Sequence, residues 1–297
     1  MTSISFDPMS QVYDAIRGYP QEVSSKIAQE IDRAAHGNAQ TRFLEVGVGT
    51  GRIAFPMSEL ECDYTAIDIS ENMLNQFEQK LCATGWQETP QPWGSLPDEE
   101  TKPKPDVRRF SREHKQGTMR LVQADMTALP FRDASFDAVI AVHVFNFVSA
   151  WQQALQEILR VLLPGGTLIR CWNANWHERW IPGTGDIRNE WSKIVQELGG
   201  RVRFPGTTEQ PVTAWLQTQG LETEQWEMLR WERPVTPRLI FESLSQYQWT
   251  GTWSVPDDLF AASMQRLRQW MDEHYGGKID ERFTEEEHLM IGRTSLR

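Results

Sequence analysis

The chain's 297 residues, 39% of them hydrophobic, suffice for one substantial core and leave room for one or two domains. Its 30 Lys and Arg against 41 Asp and Glu give a net charge of −11, a balance that repels phosphate backbones and argues against a nucleic-acid partner. The opening residues lack a basic stretch followed by an apolar one, and no later run approaches the ~20 apolar residues of a membrane span, so a cytoplasmic protein without membrane contact is expected.

In chain order, Val23, Ile27, Ile31 and Ala35 recur every four positions and predict one stripe of an amphipathic helix. Thr41 to Val48 reads as a buried strand, and it ends in the glycine-rich turn Gly47-Val-Gly49-Thr-Gly51 before Arg52-Ile-Ala-Phe. A second strand, Tyr64 to Asp68, leads to Ser70, the cap of a helix with Met73, Leu74, Phe77 and Leu81 on one face. Cys62, Cys82 and Cys171 stand apart, with neither a C-x-x-C pair nor histidines at zinc-ligand spacing, so neither a disulfide nor a metal is expected.

Residues 83–117, with five prolines and many charges, predict a long surface insertion. A third strand, Met119 to Ala124, ends at Asp125. The fourth, Phe136 to Val144, precedes a helix carrying Trp151, Leu155, Ile158 and Leu159. Leu162 to Gly166 reads as a turn into a fifth strand, Thr167 to Trp172.

Near-continuous apolar strands separated by amphipathic helices imply a Rossmann-like, doubly wound α/β fold: a mostly parallel sheet covered by helices on both faces. Beyond Trp172 the alternation weakens into C-terminal elaborations. Trp191, Ile194, Val195 and Leu198 form one helical stripe; Leu259, Phe260, Met264, Leu267 and Met271 form another. Residues 222–232 and 281–294 predict further edge strands. Ten tryptophans from Trp172 onward suit either core or an aromatic acceptor pocket.

The organisation expected is a single domain over 1–297, with an N-terminal helical lid segment (1–40), a cofactor-binding core (41–175) and a C-terminal part (176–297) that completes the sheet and the acceptor site.

The chemistry concentrates at the carboxyl ends of the strands. Glycines at 47, 49 and 51 let the backbone approach a ligand closely. Asp68 closes the next strand, where a carboxylate can accept from two vicinal ribose hydroxyls. Turn and acid together imply an adenosine-containing cofactor. Arg52 stands where a dinucleotide fingerprint needs its third glycine, and no Gly-Lys-Ser/Thr follows, so the dinucleotide and P-loop patterns both fail.

Three stretches, FLEVGVGTGRIA (Phe43–Ala54), YTAIDISENML (Tyr64–Leu74) and LVQADMTALPF (Leu121–Phe131), resemble successive motifs of the class I S-adenosylmethionine-dependent methyltransferases, of the small-molecule methyltransferase-11/25 kind. Phe136-Asp-Ala-Val and Leu163-Pro-Gly-Gly166 match two further family positions, and the likeness runs from Phe6 to Trp172. It implies methyl transfer from S-adenosyl-L-methionine to a small-molecule acceptor, leaving S-adenosyl-L-homocysteine.

By the same likeness Glu45, Gly47, Gly49 and Gly51 surround the methionine end of the cofactor and Asp68 holds the ribose. Ile69 and Met126 flank the adenine, Asp125 accepts from its amine, and Met73 and Val142 border the site. Tyr13-Asp-Ala-Ile-Arg17-Gly-Tyr19-Pro20 is similar to a segment that many members fold over the cofactor. There Arg17 can pair with a carboxylate, and Tyr13 or Tyr19 can line the transfer site or simply pack.

His143, in Ala141-Val-His-Val-Phe-Asn146, is either a catalytic base or a turn residue. The Asn/Asp-Pro-Pro-aromatic motif of members acting on planar amides and adenine amines is missing from that stretch. A protein that binds the cofactor but has lost turnover is the alternative reading.

Overall fold

In the computed structural model, residues 4–89, 107–113, 117–174 and 185–296 are described. After a short helix α1 (Tyr13–Arg17), the first predicted stripe folds as α2 (Gln21–Ala34), with Val23, Ile27 and Ile31 buried. Ala34, not Ala35, completes that stripe, because Ala35 is the residue that caps the helix. Steps of four gain about 40° each on a helix with 3.6 residues per turn, so the fourth member walks off the buried face.

Strand β1 (Arg42–Val46) is followed by the glycine turn and α3 (Ala54–Met57), then by β2 (Asp63–Asp68) and α4 (Glu71–Ala83). Ser70 caps α4 as expected, its Oγ accepting from the Met73 N–H at 3.0 Å, and Met73, Leu74, Phe77 and Leu81 are all buried.

The insertion differs from the expected loop at both of its described ends. There β3 (Trp86–Glu88) and β4 (Val107–Arg112) pair antiparallel, and β4 pairs antiparallel with β5 (Met119–Gln123). Two apolar anchors explain this: Phe110 is fully buried and Trp86 nearly so. The five prolines lie within residues 90–105, outside the described residues, and their density masks two short strands beside them.

The chain continues as β6 (Phe136–Val142), α5 (Trp151–Val161) and β7 (Leu162–Asn173). Residues 162–166, expected as a turn, are already part of β7. Phe136 pairs with Leu162 but Ala138 with Thr167, so the extra residues bulge out, with Gly165 at φ 78°. The remaining elements are α6 (Gly185–Glu197), α7 (Glu209–Thr218), β8 (Thr223–Val235), α8 (Pro237–Ser245), α9 (Asp257–Tyr275) and β9 (Phe283–Ser295).

The nine strands found among the described residues form one sheet in the order β3-β4-β5-β2-β1-β6-β7-β9-β8. The five central strands, β5 through β7, are parallel. Of the two predicted edge strands, only β8 lies at the edge; β9 is interior. From β1 the chain winds outward in both directions, and the crevice beyond the carboxyl ends of β1 and β6 is where such sheets bind ligands.

Two compact units emerge: Met1–Trp172, Pro205–Leu229 and Met290–Arg297 make the first, Asn173–Phe204 and Arg230–Leu289 the second. In the first, Leu44 and Val46 of β1, Val139 and Ala141 of β6, and Leu155 and Ile158 of α5 share one core. Alternation along β1 sends Phe43 and Glu45 to the opposite face, where α4 packs on β2 and β5. The second unit closes around Trp191, whose indole N–H donates to the Ser263 Oγ at 2.9 Å inside a core of α6, α8 and α9. Leu198 and Leu259 of the predicted stripes are partly buried against it. Trp176 and Trp180 lie outside the described residues. Among the described residues, no helix is long and apolar enough to cross a membrane.

Candidate functional site

The glycine turn and Asp68 are in direct contact, within the first unit. The Gly49 N–H donates to Asp68 Oδ2 at 2.8 Å, and the Ser70 N–H donates to Asp68 Oδ1 at 2.9 Å. All three glycines have positive φ, 71°, 57° and 78° in order, but their surroundings differ. A Cβ on Gly47 would meet Val144 Cγ1 at 2.5 Å and one on Gly51 the Phe77 ring at 2.2 Å, whereas one on Gly49 would meet nothing within 4 Å among the described residues. Gly47 therefore seats the turn against the loop after β6, Gly51 seats it on α4, and Gly49 faces open space. Burial pushes the Asp68 carboxyl up to about 6, against the hydrogen bonds from Ser70 and Gly49.

Glu45 lies beneath the turn, 2% exposed, with the Tyr64 hydroxyl donating to its Oε2 at 2.8 Å. Burial raises its carboxyl to about 8, the hydrogen bond from Tyr64 and the charge of Arg52 only partly opposing this. A folded-state value above the unfolded one means the folded protein holds a proton that the unfolded chain has released. Stability should therefore fall as pH rises from about 4.5 to about 8, by at most about 1.4 kcal/mol per pH unit from this group. Glu45→Gln should remove that slope in urea melts recorded across the window; an unchanged slope would place the ionisation elsewhere.

The end of β5 is tied to the same acid, since the Ala124 N–H donates to the Asp68 carbonyl at 3.0 Å. Asp125 and Met126 follow at once. Asp125 is half-buried, and its Oδ1 accepts from both the N–H and the hydroxyl of Thr127 at 2.9 Å, a turn-capping arrangement. Met126, Met73 and Val142 are buried and Ile69 is half-buried.

The N-terminal segment lies against the turn through polar contacts. Thr50 Oγ1 donates to Asp14 Oδ1 at 2.6 Å, Lys80 forms an ion pair with Asp14 and donates to the Thr50 carbonyl at 2.7 Å, and Ser70 Oγ bonds to Asp7. Arg52 donates from Nη1 to the Arg17 carbonyl at 2.8 Å, and its guanidinium lies 4.3 Å from the centre of the Tyr19 ring and 6.0 Å from that of Tyr13.

Tyr19 in turn reaches His143, with Oη and Nε2 3.3 Å apart. His143 sits just past β6 in a left-handed conformation, φ 56°, pinned by its N–H to the Cys171 carbonyl at 3.0 Å. Burial, reinforced by Arg52 and Arg17, pushes its imidazole well below the usual histidine range and keeps it neutral.

All fourteen residues singled out from the sequence lie in one unit, where direct contacts join Gly49 to Asp68, Asp68 to the end of β5, and Tyr19 to His143. Asp7 and Lys80 lie outside the motifs, Asp14 and Thr50 lie within them without a role that residue type announces, and Arg52 stands out in sequence only where a dinucleotide fingerprint needs a glycine. An arginine directly after a ligand-facing glycine turn was itself the usable signal.

An adenosine-containing group fits this arrangement. Each Asp68 oxygen accepts one backbone N–H, which leaves acceptor capacity on both for a pair of hydroxyls. The space beside Gly49 admits a ligand against bare backbone, and Ile69 and Met126 offer apolar surface beyond. Among the described residues, no group of three or more His, Cys, Asp and Glu could hold a metal ion.

Family models described as "Methyltransferase domain" match residues 43–91 and 101–170. A malonyl-[acyl-carrier protein] O-methyltransferase of Methylococcus capsulatus is 28% identical over 173 residues, covering 56% of this chain and 48% of that protein, so the match spans about half of that relative. An uncharacterised methyltransferase of Mycobacterium bovis is 25% identical over 276 residues, 92% of this chain and 87% of that protein. The fold is shared with phosphoethanolamine N-methyltransferase 2 of Haemonchus contortus, solved with phosphomonomethylethanolamine and S-adenosylhomocysteine. That match has 16% identity and a TM-score of 0.51, and covers 99% of this chain and 58% of the other.

Proposed function

The chain belongs to the class I S-adenosylmethionine-dependent methyltransferases, and from that premise we propose that it methylates a small-molecule acceptor by in-line displacement. The observation that carries the reading is the Gly49 N–H seated on Asp68 beside open space, a ready cradle for a ribose. In this reading Asp68 accepts from the ribose hydroxyls, Ile69 and Met126 enclose the adenine, and Asp125 borders its amine. Glu45, Gly47, Gly49 and Gly51 adjoin the methionine end, with Met73 and Val142 as apolar walls and Tyr13 and Arg17 across the crevice.

S-adenosylmethionine supplies an activated methyl group on a sulfonium and leaves as a neutral thioether. No oxyanion develops, so the chain's task is to align the acceptor and keep water out. His143 is the group suited to orient the acceptor: neutral at pH 7, it offers a ring nitrogen to an O–H or N–H while Tyr19 fixes the ring. The positive field of Arg52 and Arg17 makes it a weak store for a full proton, which favours hydrogen bonding over outright deprotonation. The strongly acidic composition and the relative named for malonyl-[acyl-carrier protein] support a metabolite acceptor over nucleic acid.

The test incubates purified protein and isotopically methyl-labelled donor with a metabolite extract and follows label into product. Transfer is expected. Binding of the donor without transfer to any component would instead identify a silent binding protein. Once an acceptor is in hand, His143→Asn, chosen because asparagine tolerates positive φ, should lower kcat about 100-fold and leave donor affinity unchanged. An unaltered kcat would remove His143 from the reaction.

A further inference from the structure

Arg52 carries a charge that the described residues do not match. Among them no carboxylate lies within ion-pair distance of its guanidinium; its named contacts are the Arg17 carbonyl and the faces of Tyr19 and Tyr13. Two acids stand near enough to act on it, Glu45 and Asp14. Glu45 is held protonated at neutral pH by burial, and Asp14 is taken up by Thr50 and Lys80. The positive charge of Arg17, like that of Arg52, is felt at His143. A half-buried guanidinium with donors to spare, placed one residue after the glycine turn, is an electrostatic debt that a ligand must meet.

We infer that Arg52 is a carboxylate-recognition residue, its planar fork receiving the carboxylate of a molecule bound beside the glycine turn. The inference rests on the donor-site reading above. Two sources share this chemistry: the amino-acid end of the donor and an acidic group on the acceptor. A phosphate would be a poorer match for the confined fork, which already spends one Nη1 donor on the Arg17 carbonyl.

Calorimetry on the full chain separates the sources with three probes: S-adenosylhomocysteine, which has the carboxylate; 5′-deoxy-5′-methylthioadenosine, which keeps the nucleoside and thioether but lacks the amino acid; and benzoate added to protein saturated with S-adenosylhomocysteine. Arg52→Gln should weaken S-adenosylhomocysteine about 10- to 100-fold and methylthioadenosine less than twofold if the carboxylate is the donor's. Arg52→Lys, keeping the charge without the fork, should fall between.

If the carboxylate is the acceptor's, both nucleosides keep their affinity and the variant loses the benzoate binding that the wild type shows. Equal weakening of the two nucleosides would reveal a merely structural arginine and overturn the inference, as would three affinities unchanged within twofold. A wild-type protein that binds neither nucleoside overturns the donor-site reading and this inference together, whereas wild-type binding with an indifferent Arg52→Gln overturns this inference alone.

Discussion

Asp68→Ala is expected to weaken S-adenosylhomocysteine by about two to four orders of magnitude, the equivalent of two charge-assisted hydrogen bonds at about 1.5–3 kcal/mol each. The substitution acts twice. It deletes both acceptors offered to a ribose, and it orphans the Gly49 and Ser70 N–H groups that hold the turn in place. Asp68→Asn keeps the shape and one acceptor but points an amide donor at a backbone donor, so an intermediate loss is expected.

Because burial lifts the Asp68 carboxyl to about 6, protonation should mimic the mutation. Affinity should hold above pH 7 and decline as pH falls through 6. Titration calorimetry at several pH values checks both parts; an Asp68→Ala protein that binds within threefold of wild type would remove Asp68 from the site.

Alanine at Gly51 and at Gly49 should have opposite consequences, although both sites pay the left-handed backbone cost of about 1–2 kcal/mol. At Gly51 the new methyl would stand 2.2 Å from the Phe77 ring, which is fully buried in α4 and has nowhere to go. Overpacking adds about 1–3 kcal/mol, so Gly51→Ala should cost roughly 2–5 kcal/mol in urea unfolding.

Gly49→Ala meets no atom of the described residues within 4 Å and should cost about 1–2 kcal/mol, yet on the proposed donor site its methyl stands in the ligand's space and should weaken S-adenosylhomocysteine at least tenfold. Equal stability losses at the two positions would refute the packing contrast, and full affinity in Gly49→Ala would show that the open side of the turn is not where the ligand lies.

The parallel core is legible because each strand carries its own evidence: Val139 to Val142 is an apolar run, Phe43 to Val46 is one broken by Glu45 alone, turn residues close both, and the glycines, Asp68 and Ser70 mark their own roles by residue type. Trp86 to Glu88 was not legible, since three residues with one buried side chain make no period and the prolines beyond them dominate any window. The bulge in β7 reads as a turn in the sequence because Pro164-Gly165-Gly166 is turn chemistry; the backbone bends as those residues require while remaining in the sheet.

At the site, residues acting through their backbone neighbours were visible, and those acting across the fold were not. Nothing local in Asp14 announces Thr50 and Lys80, and the proximity of Tyr19 to His143 joins positions 124 residues apart.

The manner in which the N-terminal segment is attached differs from that of the sheet core. None of the five residues of α1 is buried, and its contacts include an ion pair, a hydroxyl bond and a ring edge on Phe6; Met9 and Ser10 nearby are well covered. Partly exposed ion pairs of this kind contribute only about 0–1 kcal/mol each, so Asp14→Asn is expected to leave the urea midpoint of the sheet core nearly unchanged. Asp14 and Lys80 are therefore the positions at which the hold on this segment can be weakened with little effect on heat resistance.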